Sequence, residues 1–298
     1  MIKKAVSYIG IFFLYLLSLM PFWFLYLISE LLYMLVYHVI GYRRKVVRQN
    51  LQNAFPEKSS KELKTIEHKF YHHFCDLVVE TIKTISISPK ELSKRLVATN
   101  PLLINKALNN NRRIIGVAGH YCNWELLALG ITSSIDRKFI IIYKPLSNKV
   151  FDKFFIRTRS RFKGIPVAMK LVLRKMVELK NEPFLTVLLG DQTPVRHEAT
   201  YFTSFLNQPT PVFLGVEKMA KSFDCEVYFC DMRKVKRGYY TYTAVPLIED
   251  AKAAAPHEIT KAHVQYLEKV INEEPEYWLW SHRRWKFKPE DIEDAIVD

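Results

Sequence analysis

Ala5 to Ser29 runs for 25 residues without a charge and is dense in Ile, Leu, Phe and Tyr. Nothing else in the chain constrains its fold as much, because ~20 apolar residues of helix are enough to cross a bilayer core. A second apolar stretch, Leu31 to Tyr42, follows the lone acid Glu30. The region is too long for a signal peptide, and no small-residue cleavage site follows it. Phe22, Trp23, Phe24 and Tyr26 suit the aromatic belt of a membrane interface. Residues 1–42 are therefore expected to form a hydrophobic membrane anchor, either a single span or a re-entrant hairpin bent near Pro21. Lys3 and Lys4 precede it; Arg43, Arg44, Lys45 and Arg48 follow it. The heavier basic cluster on the C-terminal side puts residues 43–298 on the cytoplasmic side.

Charge is concentrated as well as high. The formal net charge is +14, and from Asp136 to Lys175 twelve Lys or Arg face two acids, Asp136 and Asp152. Such a field favours an anionic partner: phosphate-bearing lipid, acidic protein or nucleic acid. No zinc finger or RNA-binding motif accompanies it, so a nucleic-acid partner is not expected. Four cysteines (Cys75, Cys122, Cys225, Cys230) form no C-x-x-C pair and no zinc spacing, which predicts free thiols in a reducing compartment and no metal.

Ser59-Ser-Lys-Glu62 reads as a capping box opening a helix to about Ile85, and Ser88 opens another. His68 and His72 share a face of the first, which we read as solvated. From residue 112 short apolar runs alternate with amphipathic stretches. Strands are expected at Ile114–Gly119, Phe139–Tyr143, Phe184–Leu189 and Glu226–Phe229, with helices at 123–131, 148–163, 169–181 and 209–222. Val235 to Val245, broken at Gly238, reads as a hairpin partner, and Glu258 to Ile271 as a late helix. The pattern predicts an α/β domain with a mainly parallel sheet flanked by helices.

His120 stands at the end of the first of these strands, and Asn123 can cap the helix that follows. A histidine at a strand-to-helix junction with a carboxylate, Glu125, five positions on is a candidate general base with an orienting acid. His263 and Glu268 repeat the spacing inside a charge-rich helical stretch, where a solvated face is expected. Asp191, ending another strand, is a rival partner for His120. Cys122 is the alternative, a covalent nucleophile, without an evident orienting group. No Gly-x-Ser-x-Gly elbow, Walker A loop or Gly-x-Gly-x-x-Gly fingerprint is present, so neither a nucleotide nor another cofactor is expected.

Gly119-His-Tyr-Cys-Asn-Trp-Glu125 resembles the Gly-His-x-x-Asn-Trp-acid motif of the late (secondary) acyltransferases of lipid A biosynthesis, the lauroyl and myristoyl type. Further stretches resemble that family in order: Arg48 to Glu57, Tyr143-Lys-Pro145, the basic Arg157-Thr-Arg-Ser-Arg161, Leu188-Leu-Gly-Asp-Gln192, Phe202 to Thr210, and Tyr277-Trp-Leu-Trp-Ser-His-Arg-Arg-Trp-Lys286. Lys144 stands where the family usually has Arg, and Glu125 where many members have Asp.

The resemblance implies a glycerolipid-acyltransferase-like fold at the bacterial inner membrane. It implies transfer of an acyl chain from acyl carrier protein to a hydroxyl, on a 3-hydroxyacyl chain of a phosphorylated lipid A precursor. His120 would be the base, Glu125 its orienting acid and Arg159 the oxyanion donor. Asn123, Tyr143, Lys144, Arg157, Arg161, Asp191, Arg283 and Arg284 would meet substrate. An acyltransferase of another membrane lipid and a non-enzymatic basic membrane-surface protein are the competing readings.

Overall fold

The structure is a computed structural model that describes residues 2–135 and 137–298. The Lys3 side chain and all of Asp136, both used in the charge reading above, lie outside the described residues.

Two apolar helices open the chain, α1 (Ile2–Leu19) and α2 (Phe22–Tyr33). They part at Pro21, which has no N–H to continue a helix. A π-helical turn, Met34–Ile40, prolongs α2 and stops at Gly41, held at φ 63°. Phe22–Ile40 is long and apolar enough to cross a membrane; the apolar helix before it is shorter. Next come α3 (Arg44–Ala54) and α4 (Ser60–Lys83). The expected capping box is present on α4: Ser59 accepts from the Glu62 N–H and the Glu62 carboxylate from that of Ser59. A short α5 (Pro89–Arg95), β1 (Leu96–Ala98) and α6 (Pro101–Asn109) complete the first third.

The alternating part follows as β2 (Arg113–Ala118), α7 (Trp124–Ser134), β3 (Lys138–Tyr143), α8 (Lys149–Arg159), β4 (Ile165–Ala168), α9 (Val172–Glu178) and β5 (Phe184–Leu189). A small excursion, β6 (Tyr201–Phe205) and β7 (Gln208–Pro211), precedes α10 (Gly215–Phe223). The long hairpin β8 (Cys225–Lys236) and β9 (Tyr239–Ile248), then α11 (Glu258–Glu273) and β10 (Ile296–Val297), finish the chain. The helix expected over 209–222 is therefore strand over its first three residues and helix only from Gly215. Pro209 and Pro211 supply no N–H for a helical ladder.

Among the described residues the main sheet has seven strands in the order β1-β9-β8-β2-β5-β3-β4. Neighbours are parallel except β8 and β9, which form the antiparallel hairpin. Ile115, Val117, Ile140 and Phe184 face one core, shared with Val172 and Met176 of α9 and Val216 and Met219 of α10. Ile114, Phe139 and Leu185 face the larger core on the other side, with α4 and α7. Burial on both faces gives the near-continuous apolar strands that the sequence displays.

β2, β5 and β3 lie side by side and run the same way, with Ala118 opposite Leu189 and Ile141 opposite Val187. Their C-terminal ends therefore open on one edge of the sheet, where parallel α/β folds bind ligands.

Candidate active site

The turn after β2 is built to expose one side chain. Gly119 has no room for a side chain: a Cβ would come within 2.6 Å of Leu267 on α11. Cys122 takes a left-handed φ of 50°, which folds the chain sharply before α7. Residues 277–279 pin the turn from outside. Leu279 donates its N–H to the His120 carbonyl (3.1 Å), and the Cys122 N–H donates to the Tyr277 carbonyl (3.0 Å). Asn123 caps α7 by accepting from the Leu126 N–H (2.9 Å), while its Nδ2 donates to Glu80 (2.7 Å). It is fully buried, so Asn123 shapes the turn and does not meet substrate.

The His120 ring leaves this turn toward the end of β5. Its Nδ1 lies 2.6 Å from Asp191 Oδ1, and its backbone N–H donates to Asp191 Oδ2 at 2.8 Å. Trp278 Nε1 donates to the same Oδ2 at 2.8 Å. Asp191 is buried. Burial works against its charge, but the His120 ring and these donors prevail and hold the carboxyl down at about 2. An ionised Asp191 makes Nδ1 the protonated nitrogen of a neutral imidazole and leaves the Nε2 lone pair outward. Gln192 Nε2 lies 3.0 Å from that atom and is exposed. Burial alone would depress the histidine, yet the charge and hydrogen bond of Asp191, with help from Glu125, raise it above its ordinary value.

The expected partner of His120 is thus corrected. Asp191 orients the ring, because two neighbouring parallel strands end side by side and aim their next residues at each other. Glu125, in the first turn of α7, instead meets Arg159 at the end of α8 (3.2 and 3.3 Å). It acts on His120 only through its charge.

Other expected site residues scatter. Arg161 does not reach the site: its guanidinium donates to the carbonyls of Thr84, Ile85 and Ile87 (2.7–2.8 Å) beyond the end of α4. Arg284 is 2% exposed and donates to the Pro211 carbonyl. It lies behind Asp191 in the core, and burial brings its guanidinium down to about 10 against the pull of Asp191. Arg284 therefore backs the carboxylate and is sealed from substrate. Trp278 and Trp280 are buried, so the C-terminal tail is packed aromatic structure with Arg283 exposed beside it. Tyr143 is half-buried at the end of β3; Lys144 and Arg157 are exposed.

Two of the histidine readings are corrected. His263 is buried, 3% exposed, with no solvated face. His68 is not solvated either, since both its ring nitrogens bond Tyr33 and Tyr37; His72 stacks on Tyr33 but keeps a side chain 45% exposed, the solvated face expected of it. Among the described residues no group of three His, Cys, Asp or Glu is placed to hold a metal. The four cysteines are free and buried, and burial pushes the Cys122 thiol well above its ordinary value, so it is no nucleophile.

Sequence reasoning missed Gln192 as a site residue, and it missed the roles of Trp278 and Asn50. Asn50, inside the Arg48–Glu57 stretch, donates to the carbonyls of Trp280 (2.8 Å) and His282 (3.0 Å). It thereby ties that stretch to the tail that holds Asp191. The ordered recurrence of these stretches was the one available signal.

A family model of bacterial lipid A biosynthesis acyltransferases matches residues 1–287. The chain belongs to this family. It is 23% identical over 278 residues to a lipid A biosynthesis acyltransferase of Haemophilus influenzae, covering 92% of this chain and 85% of that protein. It is 23% identical to the lipid A biosynthesis lauroyltransferase of Escherichia coli (84% and 81% covered). Against the palmitoleoyltransferase of the same organism the identity is 22% (83% and 80%). The protein is thus an acyltransferase of lipid A biosynthesis, and its acceptor is lipid A.

Proposed function

We propose that this acyltransferase moves a fatty acyl chain from the thioester of acyl carrier protein to the hydroxyl of a 3-hydroxyacyl chain on a lipid A precursor, by direct attack with His120 as general base. The observation that carries this is the chain Asp191–His120–Gln192, which leaves a basic Nε2 at the open edge of the sheet.

The acceptor hydroxyl gives its proton to Nε2 while its oxygen attacks the thioester carbonyl. Asp191 stabilises the imidazolium that forms. The Gln192 amide donates to the free lone pair now, and on turning over can accept from the protonated ring. Collapse of the tetrahedral adduct expels the carrier thiolate, which takes the proton back from Nε2. A positioned base of this kind contributes roughly 10²–10⁴ in rate. Arg159, held by Glu125, is the donor for the developing oxyanion. Tyr143, Lys144, Arg157 and Arg283 remain for the carrier protein and the lipid phosphates. The work is done at the cytoplasmic face of the inner membrane, with residues 1–42 as anchor and 43–298 as the catalytic domain.

The test is acyl transfer by purified protein from acyl carrier protein thioester to a lipid A precursor, read by mass spectrometry. His120→Ala is expected to lose transfer while keeping the fold and vesicle binding. Full turnover by this variant would refute the assignment.

A further inference from the structure

We infer that α1 and α2 lie in the plane of one leaflet and do not cross the bilayer, although Phe22–Ile40 is long and apolar enough to do so. The inference rests on the membrane-bound lipid acceptor proposed above and specifies how the protein reaches it.

The observation is the way α2 is fastened to α4. Lys83 donates to the carbonyls of Ser18 and Met20 (both 2.8 Å). Tyr26 donates to Glu80 (2.9 Å) and Ser29 to Asp76 (2.7 Å). Glu30 reaches His72 (3.5 Å), and the hydroxyls of Tyr33 and Tyr37 meet the two ring nitrogens of His68 (2.9 and 3.1 Å). Read along α4, the partners are 83, 80, 76, 72 and 68. Steps of three or four residues make one helix face, so the chain from Ser18 to Tyr37, with α2 at its centre, runs antiparallel to α4 for about 22 Å. The β8–β9 hairpin closes the same side. Arg237 bridges Glu30 (2.7 Å) and Asp76 (2.6 Å), and Gly238 leaves no space for a Cβ against Tyr26.

An α2 that spanned would carry this face of α4 into hydrocarbon. Because Glu80 also takes hydrogen bonds from Tyr240 of β9 and from Asn123, the catalytic domain would have to follow. Charged groups at that depth are strongly disfavoured. The other side of α1 and α2 has the opposite character: Phe13, Trp23, Leu27, Leu31 and Val39 are 56–76% exposed. Next to them sits the basic flank. α8 packs on α1, with Asn148 bonded to Ser7 (2.9 Å), and it carries exposed Lys149, Lys153 and Arg157. An apolar slab edged by cations suits an anionic leaflet. The same contacts hold the His120 turn at a fixed height above that leaflet, since Tyr26 and Asn123 share Glu80.

All four native cysteines are buried, so single surface cysteines can be labelled in the full-length chain. Labels at Phe13, Trp23, Leu27, Leu31 and Val39 are read for depth by collisional quenching in phosphatidylethanolamine–phosphatidylglycerol vesicles. All five are expected within ~5–10 Å of the headgroup–acyl boundary. An impermeant thiol reagent added outside is expected to reach Lys4→Cys and Lys45→Cys alike. Leu27 or Leu31 at the bilayer midplane, labels 4 and 45 on opposite faces, or protein that does not float with the vesicles would overturn the inference. His120→Ala is expected to give the same depth profile. An in-plane profile without acyl transfer by the native chain would sink the proposed reaction and leave this topology standing.

Discussion

At His120 three influences compete. Burial pushes the ring toward neutrality, while the Asp191 carboxylate 2.6 Å away and the charge of Glu125 raise it above its ordinary value. If Nε2 is the base, kcat/KM falls with acid, and the midpoint of that limb lies above the ~6.5 of a free histidine. Asp191→Asn removes the main raising influence and leaves burial, so the limb should move to lower pH. The orienting acceptor is also weakened, and kcat should drop about 10²–10⁴-fold, comparable to losing the orienting carboxylate in a histidine-based triad. Glu125→Gln should move the limb less, and a pH–rate series on the three proteins distinguishes the two carboxylates. Gly119 gives a second prediction. A methyl there must displace Leu267, so Gly119→Ala should cost about 1–3 kcal/mol of stability by overpacking, read as a lower denaturation midpoint.

Elements carry the next level of cause. His73 on α4 and His263 on α11 are fully enclosed, and burial brings them to about 3 and about 4. Their folded pKa values lie below the unfolded one. The unfolded chain therefore takes up these protons first, and stability is lost as pH falls from about 6.5 towards 4. His263 alone is worth roughly 3 kcal/mol across that window, at ~1.4 kcal/mol per pKa unit. His263→Gln should flatten the dependence of the urea midpoint on pH. α7 depends on its cap in the same local way. Asn123→Ala removes the cap and one donor to buried Glu80, and should cost at least the ~1 kcal/mol typical of a lost N-cap. The Ser59 capping box, the strand-to-helix junction at His120 and the late helix were legible because each rests on neighbours in sequence. The strand at Gln208–Pro211 was hidden, since its ladder partner is an excursion with no strong apolar alternation.

On the scale of the molecule, the sequence by itself determined the composition of each part: an apolar start, an alternating α/β domain and a histidine at the end of an apolar strand. It also carried the ordered stretches by which the family is known. Apolar content and helical or strand periodicity are properties of short windows, and they survive without knowledge of partners. Only the tertiary structure decided which carboxylate serves His120. Asp191 lies 71 residues away, and its proximity follows from β2 and β5 pairing in parallel, a contact no local pattern encodes. Tertiary structure likewise turned Arg161 and Arg284 from candidate substrate ligands into scaffold, because a guanidinium's role depends on which carbonyls or charges enclose it. The same holds for the opening helices. Their hydrophobicity is written in the sequence, but whether they cross or lie flat depends on what is fastened to one side of them. That side is α4, joined by the polar face that Tyr26, Ser29 and Glu30 present to Glu80, Asp76 and His72.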